Sequence, residues 1–180
     1  MKKVVLFLAD GFEEVEALTS VDLLRRAGID LKTMAIQDLA VQGAHGIEVK
    51  ADLLFDPEYI KTCDAMILPG GMPGTKNLQE HKGLEKELLE FAKEKKIIAA
   101  ICAAPMVMGR LGLLKGRKAC CHPGYEENLL GAQLEDGLVS VDENYVTSRG
   151  VGTAIAFALR LIEILKDKET ADQVKESIVY

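Results

Sequence analysis

The sequence predicts a single α/β domain: a mostly parallel sheet sandwiched between layers of helices. Three observations carry that prediction. Lys3–Leu8, Ala65–Leu68 and Ile97–Ile101 are short apolar runs, the pattern of strands buried on both faces. Segments of helical periodicity separate them, as crossovers between parallel strands require. The chain has 180 residues, 48% hydrophobic and 28% charged, enough for one domain with a real core and too few for two comfortable ones.

The elements follow in order. Met1–Ala9 opens like a signal sequence, but Asp10, Gly11 and the acidic Glu13, Glu14 and Glu16 cut it short, so Lys3–Leu8 is read as the first strand. Asp10-Gly-Phe-Glu13 has the spacing of a capping box, with Asp10 as N-cap and Glu13 reaching back. The helix it opens runs to about Ala27, and Gly28 closes it. Its apolar residues Phe12, Val15, Leu18, Val21, Leu23, Leu24 and Ala27 surround most of the circumference, which predicts cover on more than the sheet-facing side. A subunit contact is one way to supply that cover. Asp30–Ile36 is the second strand, and Val41–Ala51 alternates as a small hairpin beside the main sheet. Asp56-Pro57 starts a turn or short helix. Pro69–Gly74 breaks out of the Ala65–Leu68 strand. Lys82–Lys95 is an exposed amphipathic helix. Pro105 starts a short helical piece that closes at Leu111–Leu114. Lys118–Cys121 reads as a strand ending at His122. Val139–Asp142 and Tyr145–Thr147 form a hairpin around Glu143-Asn144. Ala154–Leu165 is a long apolar helix, and an amphipathic one covers about Glu169–Ile178.

Ligands of such sheets bind at the carboxyl ends of the strands, and reactive groups gather there. Cys102 follows Ile97–Ile101 directly, with Pro105 opening a helix just beyond. A strand that ends on a nucleophile and turns sharply into a helix is a nucleophile elbow. The crowded turn needs small residues two before and two after, which are Ala100 and Ala104. A helix start favours thiolate over thiol, so the pKa of Cys102 is expected below the ~8.5 of a free thiol. The alternative is a small buried hydrophobe, the usual state of a free cysteine. Gly70-Gly71 follows another strand. The N–H groups of Gly71 and Ala103 are candidates for an oxyanion hole, against the reading of a tight turn alone. His122 is either a base or proton donor, or a strand-end histidine bonded to a carbonyl. Glu16 falls on the apolar side of the first helix, between Phe12, Leu23 and Ala27. A carboxylate there is desolvated unless paired or protonated, and a protonated Glu16 would donate to a Cys102 thiolate. Glu13 and Glu14 are explained as first-turn carboxylates favoured by the helix dipole.

The remaining chemistry is excluded by composition. A net charge of −6 argues against a nucleic-acid or anionic-membrane surface, and no apolar stretch approaches the ~18 residues of a membrane span. Four cysteines with an adjacent pair, Cys120 and Cys121, and no CxxC fit a reducing cytoplasm better than a disulfide framework. His45, His81 and His122 are widely separated, so no metal site is expected.

Five stretches stand in order along essentially the whole chain: Ala9–Ala17 (ADGFEEVEA), Leu68–Gly71 (LPGG), Ala99–Pro105 (AAICAAP), His122-Pro123 and Thr147–Gly150 (TSRG). Together they closely resemble the DJ-1/ThiJ/PfpI superfamily, in particular the branch of the Parkinson-associated protein and its bacterial relatives. The resemblance implies a flavodoxin-like sandwich and a homodimer. It implies that Cys102 is the reactive cysteine and Glu16 its protonated partner, with Gly71 and Ala103 as backbone donors and His122 as the nearby histidine. It implies glyoxalase activity, methylglyoxal to lactate without glutathione, or protein deglycase activity, with no metal or organic cofactor. Its alternatives are an oxidative-stress sensor or chaperone switched by oxidation of the same cysteine, and more weakly an amidase or peptidase. Against the last, the protease branch has a histidine immediately after the cysteine, where this chain has Ala103.

Overall fold

The computed structural model describes the whole chain, Met1–Tyr180. In order, the elements are β1 (Lys3–Leu8), α1 (Glu14–Arg26), β2 (Asp30–Ala35), β3 (Ala40–Gln42), β4 (Glu48–Lys50), β5 (Leu53–Leu54), α2 (Pro57–Lys61), β6 (Ala65–Leu68) and α3 (Gly74–Glu80). They continue with α4 (Lys82–Lys93), β7 (Ile97–Ile101), α5 (Pro105–Arg110), β8 (Lys118–Ala119), β9 (Gln133–Leu134), β10 (Val139–Asp142), β11 (Tyr145–Ser148), α6 (Ala154–Leu165) and α7 (Lys168–Ser177). The sheet has seven strands in the order β10-β11-β7-β6-β1-β2-β5. The three apolar runs are therefore its centre, β7-β6-β1, and only the β10–β11 hairpin pairs antiparallel.

Strand β1 shows why these runs are unbroken. Side chains alternate across a sheet. On one face Val4, Leu6 and Leu8 join a core with Ala17, Val21 and Leu24 of α1 and Phe157, Leu161 and Ile162 of α6. On the other, Val5 and Phe7 join Leu84, Leu88 and Phe91 of α4 and Met106–Met108 of α5. Both faces are covered, so neither admits a polar residue. This is the predicted helix–sheet–helix sandwich. No helix is long and apolar enough to cross a membrane.

The structure corrects three local expectations. Asp10 does not cap α1. Its Oδ1 accepts the Gln42 N–H at 2.8 Å instead, tying the first loop to the β3–β4 hairpin, and the helix starts at Glu14. The other end is as expected: Gly28 has φ +71°, with Gly28 N–H donating to Arg25 O and Ile29 N–H to Leu24 O, a Schellman closure. The break after β6 becomes a helix, α3, which the glycine- and proline-rich sequence hid. Finally, Lys118–Cys121 does not join the main sheet. Only Lys118–Ala119 is a strand, and it pairs with β9 in a separate two-stranded sheet. His122 therefore reaches the site from a peripheral loop.

Candidate active site

Cys102 sits where β7 ends. Its N–H donates to Ser148 O of β11 at 3.0 Å, and its carbonyl accepts the His122 N–H at 2.8 Å, so both sides of the peptide unit are fixed. Its φ is +65°, a left-handed conformation that a non-glycine residue keeps only when its surroundings enforce it. Ala100 and Ala104, the small residues the turn was expected to need, are fully buried. Of the four cysteines, Cys63, Cys120 and Cys121 are buried and Cys102 alone is partly exposed. It opens onto a cleft of about 500 Å³, also lined by Glu13, Glu16, Gly71, His122, Arg149 and Gly150. Cys102, Glu16, His122 and Gly71 are thus brought together at one strand end, and Ala103 contributes through its backbone.

Glu16 is wholly inaccessible to solvent. Its Oε2 accepts the Gly70 N–H at 2.9 Å, while its Oε1 is buried with no hydrogen-bond partner. Burial pushes its pKa up to about 7, and the Cys102 thiol and the Gly70 N–H pull the other way. With Oε2 already engaged as an acceptor, the proton of the neutral acid belongs on Oε1.

The thiol itself departs from the expectation of a lowered pKa. Burial pushes Cys102 up to about 12, the Glu16 charge and hydrogen bond add to this, and the N–H groups of Gly71 and Ala103 oppose it. Helix α5 has six residues, so the opposing field comes from those two N–H groups more than from a long helix dipole. Thiol and carboxyl interact strongly and titrate as a pair. Ionisation of either group opposes ionisation of the other: a neutral Glu16 favours the thiolate, and an ionised Glu16 suppresses it.

Gly71 and Ala103 were expected as an oxyanion hole. Both N–H groups act on the Cys102 thiol and lower its pKa, so they favour charge on the sulfur. The preceding glycine is needed as well, which the motif alone did not show. A Cβ at Gly70 would stand 2.5 Å from Cys102 Cβ and 2.7 Å from Glu16 Oε2. Gly71, at φ +90°, lets this loop cross the Gly11–Glu13 backbone.

His122 is bonded to a carbonyl, as its second reading expected. Its Nδ1 lies 2.9 Å from Pro123 O, and a carbonyl only accepts, so Nδ1 carries hydrogen. In the neutral ring Nε2 is then unprotonated, and the His122 ring lines the cleft.

Glu14 has a function that the first-turn reading missed. It is buried, its Oε1 accepts the N–H of His45 and Ile47, and its Oε2 lies 2.9 Å from His45 Nδ1. Burial opposes its ionisation, but these hydrogen bonds outweigh burial and hold its pKa below the usual carboxylate range. Glu13, Glu14 and His45 place ligand atoms within 4.8 Å of one another, a grouping that sequence separation concealed. Glu14's existing hydrogen bonds mark it as the clamp that seats the β3–β4 hairpin on α1.

A cysteine elbow backed by a buried acid, on a parallel sheet between helices, defines an α/β protein with a thiol-centred candidate site. The sequence profile of the DJ-1/PfpI family matches residues 2–164. The chain belongs to that family. It is 38% identical to protein DJ-1 homolog B of Arabidopsis thaliana over 99% of its own length, but spans only 41% of that relative. It is 31% identical to the Parkinson disease protein 7 homolog of Danio rerio, covering 99% of this chain and 97% of that one. It is likewise 31% identical to a deglycase of Pyrococcus horikoshii, covering 91% and 99%. Among solved structures, oxidized Toxoplasma gondii DJ-1 superposes with a TM-score of 0.95 at 37% identity, covering 100% of this chain and 99% of that one.

Proposed function

We propose that this protein is a cysteine-dependent enzyme acting on methylglyoxal-type dicarbonyls, as a glyoxalase, or on their protein adducts, as a deglycase. The observation that carries the reading is the Cys102–Glu16 pair: the only partly exposed cysteine, on a constrained elbow, against a buried acid that holds its proton to about pH 7. Archaeal family members named deglycases, matched over nearly their full length, support an enzymatic role.

The chemistry follows from the residues. The Cys102 thiolate attacks the aldehyde carbon, a C–S bond forms, and the oxygen takes a proton to give a hemithioacetal. A proton then leaves the former aldehyde carbon and one returns to the neighbouring carbon, which converts ketone to alcohol and hemithioacetal to thioester. Glu16 and His122, which line the same cleft as Cys102, would carry those protons. Water cleaves the thioester to lactate and frees the thiol. The aldehyde is oxidised as the adjacent ketone is reduced, so the balance needs no metal or organic cofactor.

The working form we propose is a homodimer. Val15 and Leu18 face outward on α1, 48% and 38% exposed, and Ile47, whose N–H donates to Glu14 Oε1, is 52% exposed. A second reading rests on Cys102 as the accessible thiol: peroxide would oxidise it to sulfinate and make the protein a redox sensor. Lactate formation from methylglyoxal, with no thiol added, separates the two. Wild type is expected to produce lactate and Cys102→Ser none. A wild type that oxidises cleanly at Cys102 but turns over no dicarbonyl would leave only the sensor.

A further inference from the structure

The buried oxygen without a partner, Glu16 Oε1, has a second feature beside it. A Cβ built on Gly150 would stand 3.8 Å from Glu16 Oε1 and 3.4 Å from His122 Cδ2. Gly150 therefore borders both groups, and its missing side chain leaves the space between them open to the cleft. Cδ2 adjoins Nε2 in the imidazole. Because Nδ1–H is committed to Pro123 O, Nε2 is the ring atom with a free lone pair. One small space thus offers a buried carboxyl oxygen and a basic nitrogen, next to the sulfur that would carry an acyl group. Gly150 is itself fixed: its N–H donates to Thr153 Oγ1 at 3.0 Å and its carbonyl accepts the Thr153 N–H at 2.9 Å.

We propose that this space binds the water that cleaves the Cys102 thioester, and that Gly150 is a positioning residue that keeps it open. The proposal rests on the covalent reading above. The water oxygen forms a bond to the acyl carbon as its proton passes to His122 Nε2. Glu16 holds the same water through Oε1. The C–S bond then breaks, and its electron pair stays on the Cys102 sulfur, where the Gly71 and Ala103 N–H groups receive the charge. The products are the free carboxylic acid and the regenerated thiolate, with the proton released from imidazolium to solvent.

The test isolates this half-reaction. p-Nitrophenyl acetate would acetylate Cys102 directly, and intact-mass measurement would follow loss of the acetyl group in wild type and Gly150→Ala. The expected result is deacetylation slowed about a hundredfold in the variant, the scale of general-base catalysis. Its iodoacetamide alkylation rate at the free thiol should stay unchanged, while the strain of a side chain at this backbone conformation lowers its melting temperature. With methylglyoxal the variant should accumulate acyl-enzyme. Equal deacetylation rates would overturn the proposal. A wild type that deacetylates fast but ignores methylglyoxal would sink the dicarbonyl reading and leave the water site standing. Gly150 has φ +159° and ψ −165°, a conformation glycine takes most readily, so the variant may be replaced by a direct observation if it does not fold. A high-resolution crystal structure of wild type should then show a water bonded to both Glu16 Oε1 and His122 Nε2. A space closed by side chains would contradict the proposal.

Discussion

Glu16 and Cys102 share one problem, two acidic groups packed where only one charge is tolerated. The consequence for stability has a definite sign. The folded-state pKa of Glu16 is raised from 4.5 to about 7, so between those values the folded state holds a proton that the unfolded state has lost. Stability contributed by the neutral acid is therefore lost as pH rises through that window, by an amount on the order of 3 kcal/mol. Glu16→Gln stays neutral throughout. Urea unfolding should find the variant close to wild type near pH 4.5 and more stable above pH 7, and a constant difference would show that Glu16 is not buried as an acid. Gly70 gives a second prediction at this scale. Gly70→Ala pushes a methyl into Cys102 Cβ and Glu16 Oε2, so alkylation of Cys102 should slow by about tenfold or more, the equivalent of about 1.4 kcal/mol. An unchanged rate would mean that the loop yields freely.

Among the elements, α1 is the one whose residues serve most masters. Glu16 faces the site, Val21 and Leu24 the core, Glu14 the hairpin, and Val15 and Leu18 the outside. Glu14→Ala would leave the His45 and Ile47 N–H groups without their acceptor. It should destabilise the fold by about 1–3 kcal/mol in urea unfolding; no measurable loss would show that water replaces the clamp. This division explains what the sequence could and could not disclose. The strands β1, β6 and β7 were legible to the residue because both of their faces are buried, which leaves short apolar runs bounded by polar or turn residues. Glu16 was legible because a carboxylate on an apolar face has few explanations. Glu14 was not, since its partner His45 lies far along the chain and first-turn acids are common. Asp10 misled for the same reason: its side chain satisfies a hairpin N–H instead of its own helix. Helix α3 was hidden by Pro73 and Gly74, which read as loop but stand at a helix start. The path of His122 was hidden because a two-residue strand carries almost no periodic signal.

At the scale of the whole molecule, the sheet brings β6 and β7 side by side so that their carboxyl ends deliver Gly70-Gly71 and Cys102 to one point, while α1 supplies the acid from above. The outward apolar face of α1 leads us to expect a particle of twice the 19.6 kDa chain mass in light scattering, with Val15→Lys and Leu18→Lys together shifting it toward monomer. A monomeric wild type at micromolar concentration would refute the dimer. The central claim is that Cys102 is a nucleophile that carries the substrate covalently. Rapid quenching of wild type during methylglyoxal turnover, followed by peptide mass mapping, tests it most directly. The account predicts an adduct on the Cys102 peptide that forms and decays with turnover and is absent from peptides bearing Cys63, Cys120 or Cys121. Lactate production with no adduct on Cys102, or with adducts only on lysine and arginine side chains, would contradict it.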